Sequence, residues 1–228
     1  MEHFIVIVSW IVACLVASLG IPQLISLLKS KRTGKINFIS FWIFHLGILL
    51  WVIWSSLGSD YLLSTFVANS VCLTINSITL YFLYHYKREF NKNQKLAGLI
   101  GILFVYFIGI IFFVLKFTIS YRWQSDVQTT MSLIFPSFTT LAFLPQLIYS
   151  LRKKIWKGIS IWMYVLYEIN NLFWILYWIL NLVHLGVQGA LIGALIWQTI
   201  SFTLFGIQFY FTLIDLLKTK KEMKKISY

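Results

Sequence analysis

A chain of 228 residues that is 59% hydrophobic and only 11% charged, with a mean hydropathy of +0.81, has too little polar surface to cover a soluble globule. It reads as an integral membrane protein. Its formal charge of +12 lies in short basic loops rather than on one continuous face, which argues against a nucleic-acid interface and for contact with anionic headgroups.

Seven apolar runs approach the roughly 20 residues that cross a hydrocarbon core of about 30 Å: 4–28, 38–57, 61–86, 96–120, 127–151, 159–180 and 187–216. The strict alternation over about ten residues that marks a β-barrel is missing from the sequence. The predicted fold class is therefore all-α, a polytopic membrane protein with seven transmembrane helices. The first run follows Glu2-His3, without a basic segment before it or a small-residue cleavage site before the first basic loop, so it is expected to be a retained helix.

Span one carries Pro22 in its last third, where the missing N–H and the clash with the Ser18 carbonyl predict a kink. Gln23 follows, about 9 Å into the membrane from the basic loop, and its amide needs a partner there. Span two holds His45, expected as a neutral imidazole bonded to a nearby helix, and Trp42, Trp51 and Trp54, read as an interfacial belt or a stacking surface. On span three, Thr65, Asn69, Cys72, Asn76 and Thr79 recur at helical spacing as one polar stripe. Cys72 and Cys14 lack metal-type spacing and are expected to be small packing residues. Span four carries Lys116 near its end, able to snorkel outward.

Span five repeats span one, with Pro145 and Gln146 placed 123 positions after Pro22 and Gln23. Gly20-Ile21-Pro22-Gln23-Leu24-Ile25 and Phe143-Leu144-Pro145-Gln146-Leu147-Ile148 share the same core. Each copy is followed by a basic loop and then by Ile-Ser-x-Trp, at Ile39 to Trp42 and Ile159 to Trp162. Glu168, the one acid deep within a span, lies near the middle of span six. An ionised group at mid-bilayer costs about 2.5 to 3.5 kcal/mol on insertion scales, so it faces a cavity or a partner. It is read either as a proton- or amine-binding carboxylate or as a protonated structural residue, on a stripe with Tyr164, Asn171, Trp174 and Trp178 and with Asn170 beside it. Span seven carries Gln198, Ser201, Gln208 and Thr212 on one face, and Gly189-x3-Gly193 as a close-packing motif. The polar stripes of spans three and seven either line a shared path or bond helices together.

Setting the two Ile-Ser-x-Trp motifs in register places Trp54 on Trp174, and setting Thr74-Ile75 on Thr199-Ile200 places Asn76 on Ser201 and Asn69 on Ala194. The predicted division is a first three-helix repeat at 1–86, a linker helix with flanking loops at 87–126, a second repeat at 127–216 and a basic tail at 217–228. One unpaired helix between three-helix units gives both copies the same orientation, as in parallel-repeat transporters. Seventeen of the 19 Lys and Arg fall on one side of this arrangement. The positive-inside rule then sets the N-terminus outside and the C-terminus in the cytoplasm. A bacterial plasma membrane is the expected location.

Two Pro-Gln dipeptides, each closing the first helix of a three-helix unit and followed by a basic loop, resemble the PQ-loop repeat family, which includes cystinosin-like transporters. SWEET sugar transporters and the KDEL receptor look like more distant relatives. The resemblance implies a three-plus-one-plus-three arrangement in which Pro22, Gln23, Pro145 and Gln146 match the hinge motif. It implies a secondary transporter of a small polar solute working by alternating access, while the substrate does not carry over, because the family handles several kinds of solute. An amino acid-like solute is favoured over a sugar or vitamin, and Glu168 is expected to couple transport to protons or to hold a cationic group. SWEET-like relatives use an asparagine on the third helix of each unit. Asn76 or Asn69 looks similar, but Ser201 or Ala194 stands in the second copy. A receptor or sorting protein of the same superfamily is the alternative. The substrate or proton pathway is expected at Glu168, Asn171, Asn69, Asn76, Gln198, Ser201, Trp54 and Trp174. The sequence shows no nucleophile-base pair, metal-ligand cluster or phosphate-binding glycine loop, so neither an enzyme nor a cofactor is expected. The expected partners are a small-molecule solute and membrane lipids.

Overall fold

The structure, a computed structural model, describes residues 1–33, 36–142, 144–153 and 161–226. Phe143, Lys35, Lys154, Lys157, Ile159 and Ser160 lie outside the described residues, as do the side chains of Gln146, Lys153 and the tail lysines beyond Lys218.

Among the described residues the chain is all helical. Span one is α1 (Glu2–Ser18) followed by α2 (Ile21–Ser30). Spans two, three and four are α3 (Phe38–Ser56), α4 (Leu63–His85) and α5 (Lys92–Thr118). Span five is α6 (Ser125–Leu141) followed by α7 (Leu144–Lys153). Spans six and seven are α8 (Ile161–Leu185) and α9 (Gly189–Ile226). The expected seven spans are present. The last helix runs beyond residue 216, because Lys, Glu and Met in the tail continue a helix readily.

Both proline-bearing spans divide at equivalent places. α1 stops at Ser18 and α6 at Leu141, and the second segments start at Ile21 and Leu144. Leu19 and Gly20 stay right-handed helical, so the expected kink appears as an interruption of the hydrogen-bond ladder, with Pro22 in the first turn of α2, where its ring supplies no amide hydrogen. Gly20 caps that turn. A Cβ there would lie 3.0 Å from the Ile75 methyl of α4, so a larger residue would push α2 off its neighbour.

Each half is a three-helix bundle about its last helix: α4 packs on α1, α2 and α3, and α9 packs on α6 and α8. The halves meet along two seams, α3 against α6 and α1 against α8. First helix thus meets second helix twice, as a two-fold relation along the membrane normal requires. Among the described residues α5 packs mainly on the first half, against α3 and α4, and 22% of its apolar window is buried against 56% in α3 and in α4. It is the lipid-facing linker of a three-plus-one-plus-three fold.

Small residues allow the close crossings. On the α3–α6 seam a Cβ at Gly47 would sit 2.7 Å from the Thr139 methyl and 2.8 Å from its backbone nitrogen. Gly189 and Gly193 press α9 onto Thr129 and Ser132 of α6, an internal contact. Lys116 departs from expectation: it does not snorkel but is buried, and its ammonium donates to the Ser55 carbonyl at 3.4 Å. Ser55 belongs to the last turn of α3, whose carbonyls lack helical donors and carry the negative end of the dipole.

Gly47→Val should force α3 off Thr139 and lower stability by about 1–3 kcal/mol. Thermal unfolding in detergent would read this as a lower midpoint, and an unchanged midpoint would mean the seam is loosely packed.

Candidate functional site

A cavity of about 70 Å³ lies where the two halves meet, and all six repeat spans contribute to its wall while α5 does not. Of the expected pathway residues, the fold brings five together on this wall: Asn69, Asn171, Trp174, Gln198 and Ser201. Thr139 and Thr140 of α6 and Asn170 of α8 add further polar groups.

Asn171 is the hub. Its side-chain oxygen accepts from the Gln198 amide and from the Ser201 hydroxyl, the latter at 3.4 Å, so α8 is tied to α9 through one carboxamide. Across the cavity, the Asn69 amide donates to the Thr65 carbonyl one turn earlier on α4, at 2.9 Å. Among the described residues of the wall, two buried atoms lack a hydrogen-bond partner within the protein, Asn171 Nδ2, a donor, and Asn170 Oδ1, an acceptor. A buried polar atom left unpaired costs about 1–3 kcal/mol, so each gains from a water or another polar group in the cavity. Among the described residues, the Tyr167 phenol is the one ionisable side chain on the wall.

Aromatic layers close both ends. Toward the Met1 end, Trp51 of α3 stacks on Trp174 of α8, with centroids 6.1 Å apart, and Trp174 stacks on Trp178 at 5.0 Å. The Trp51 indole donates to the Thr139 hydroxyl at 3.1 Å, fastening this layer to α6. Toward the basic end, Tyr167 lies flat on Phe205 at 4.3 Å, with Phe44 at 6.5 Å from Tyr167. Seven residues of α8 separate Tyr167 from Trp174, so the layers stand about 10 Å apart with the amides between them. Leu19 and Ala142, the residues at the two helix breaks, are packed into the Tyr167–Phe205 cluster.

The other expected residues lie elsewhere. Trp54 is fully buried toward the Met1 end and its indole donates to the Gln128 carbonyl at 3.2 Å. The Asn76 amide donates to His45 Nδ1 at 3.1 Å within the first half, so His45 is bonded to a neighbouring helix. Glu168 is half-buried on α8 beside Gly206 of α9 and does not line the cavity; its Oε1 is buried without a partner. Pro22 and Gln23 are half-buried at the start of α2, on the basic side of the Tyr167–Phe205 layer.

Pro136, Thr139 and Phe205 escaped sequence reasoning. Pro136 is the one proline of the chain outside the two Pro-Gln pairs; it lies inside α6 and lines the cavity, whereas Ala13 stands at the matching position of span one. Carrying the 123-residue offset through the whole span would have paired Thr139 with Val16, and both line the cavity.

Residues 129–184, which cover most of α6 and reach through α7 into α8, match the family model of the PQ loop repeat. This chain carries a PQ loop repeat. A solved structure of a eukaryotic SWEET transporter at 3.7 Å resolution superposes with a TM-score of 0.63 over 92% of this chain and 98% of that one, at 11% identity. That likeness shows the fold, and with the family match it supports the PQ-loop assignment. No curated protein sequence matches the chain. The matched stretch contains Pro145, and the equivalent break before Pro22 gives the first half of the chain the same frame.

Asn171→Leu should remove the acceptor shared by Gln198 and Ser201 and cost about 1–3 kcal/mol. A thermal midpoint equal to that of the parent protein would show that the α8–α9 tie is not made.

Proposed function

We propose that this PQ-loop protein is a secondary transporter that carries a small, neutral polar solute through the cavity between its halves by alternating access. The observation that carries the reading is the coupling of helix breaks to closure: Leu19 and Ala142 sit at the two breaks and also belong to the aromatic cluster that shuts the basic end. Bending at the Pro-Gln positions would draw both residues away from Tyr167 and Phe205 and open the cavity on that side. The Trp51–Trp174 layer is separate, so the Met1 end can part while the basic end stays shut.

The wall chemistry narrows the solute. An amino acid needs a counter-charge for each of its ionised groups, and the wall offers amides, hydroxyls and indole faces instead. A hydroxyl- or amide-rich neutral molecule fits better than the amino acid-like solute favoured from the sequence. At about 70 Å³ the cavity holds a few waters but falls short of the roughly 300 Å³ of a ligand site. This conformation is therefore read as the closed one. Glu168 lies outside the cavity and one residue beyond Tyr167, which supports a part in coupling a proton to movement of the inner layer over one in binding solute. The basic end, with Lys29, Arg32, Lys87 and Arg88, faces the cytoplasm in this reading.

Counterflow in proteoliposomes tests it. Preloaded vesicles should exchange a labelled neutral polyol, sugar or amide at least about tenfold faster than empty liposomes. Trp174→Ala should abolish the exchange, since base or ring stacking on an aromatic is worth about 1–3 kcal/mol. Glu168→Gln should keep exchange while removing its dependence on a pH gradient. Saturable binding without counterflow would make the cavity a receptor pocket and end the transporter reading.

A further inference from the structure

We propose that the pocket between the end of α4 and the start of α5 is a binding site for an anionic phospholipid. The pocket has a volume of about 240 Å³ and lies at the basic end of the bundle, on the outer surface and away from the solute cavity. Its wall changes character over one helical turn. Lys92 and Lys95 stand at the mouth, and Leu96, Leu99 and Tyr81 line the part that continues toward the membrane. Leu96 is 54% exposed and Tyr81 39% exposed, so this apolar part is open sideways to lipid.

The site is held in shape. The Lys95 ammonium donates to the His85 carbonyl at 2.9 Å, which fixes it over the mouth. A reciprocal capping box between Asn91 and Gln94 sets the first turn of α5. Behind the pocket, a Cβ at Gly98 would lie 2.6 Å from the Tyr84 ring, so this glycine makes room for the ring between the helices. The Tyr84 hydroxyl accepts from the Trp42 indole at 2.9 Å.

Charge identifies the occupant. The adjoining turn adds Lys87 and Arg88, and its one acid, Glu89, pairs with Lys87 at 3.5 Å. The start of α5 contributes the positive end of its dipole. A phosphate on Lys92 and Lys95 with an acyl chain along Leu96 and Leu99 satisfies both parts of the wall, whereas a soluble anion leaves the apolar part uncovered. α5 lines no part of the solute cavity, so the site stands independently of the transport reading.

Native mass spectrometry of the detergent-purified full chain, titrated with short-chain phosphatidylglycerol, tests the proposal. Phosphatidylglycerol should be retained at least about tenfold more tightly than phosphatidylcholine with the same chains. The Lys92→Gln/Lys95→Gln pair should lose that preference by about tenfold or more, at roughly a factor of several per lysine near a membrane surface. Leu99→Trp, which keeps both lysines and fills the pocket, should lose it as well and serves if the lysine pair does not fold. Lys29→Gln/Arg32→Gln, at the same end of the bundle, should leave it unchanged. Equal retention of the two lipids would overturn the proposal. So would full displacement by inorganic phosphate, which would mean a free-anion site, or an equal loss in the Lys29/Arg32 pair, which would mean diffuse attraction.

Discussion

A helix inside a bilayer can break only where protein covers the backbone groups that the break releases. This chain breaks its spans at Leu19–Gly20 and after Leu141, once in each half and at the same repeat position. Much of the architecture follows from keeping those two points covered. Leu19 and Ala142 are packed among Tyr164, Tyr167 and Phe205, so the weakest points of the helical frame are also the points at which the two halves hold each other closed. A hinge and a gate that share residues cannot move separately. In the proposed mechanism that coupling gives the bundle a reason to have two states, and it ties opening of the basic end to the two breaks.

The halves share a frame but not a chemistry. Repeat register sets Trp54 on Trp174, yet Trp174 stacks on Trp51 beside the cavity while Trp54 is sealed against α6 through the Gln128 carbonyl. The residue of the second half that matches Trp51 is Asn171, the hub of the polar wall. Asn76 and Ser201 match as well, and diverge: one is tied to His45 within its own half, and the other faces the cavity. Duplication thus supplied two equal scaffolds, and substitution along them placed most of the polar wall on α6, α8 and α9. Pro136, which has Ala13 as its counterpart, belongs to the same divergence.

The spans and the repeat were legible in the sequence because they rest on one-dimensional signals: run length, the Pro-Gln spacing and the placement of basic loops. The residues that converge were legible where a helical stripe faced a neighbouring helix, as with Asn69, Asn171, Gln198 and Ser201. Periodicity fixes which residues share a face; it does not say which neighbour that face meets. Glu168 lies within one turn of Asn171 on α8, and that offset is enough to turn it toward Gly206 and out of the cavity. Lys116 was misjudged for a related reason. Snorkelling assumes that water is the nearest acceptor, and here the end of α3 offers the Ser55 carbonyl instead. Trp54 looked like the partner of Trp174 by register, but register relates each residue to its copy and not to its contact.

The most direct test of the central claim, that one cavity opens in turn to each side, is thiol accessibility at its centre. With Cys14→Ser and Cys72→Ala as background, Ser201→Cys places a single thiol on the cavity wall. A membrane-impermeant maleimide applied to sealed, oriented vesicles should label it from either face, and a transported solute should slow labelling from both. Labelling from one face alone, under every solute and pH condition, would contradict the account and leave a pocket that never crosses the membrane.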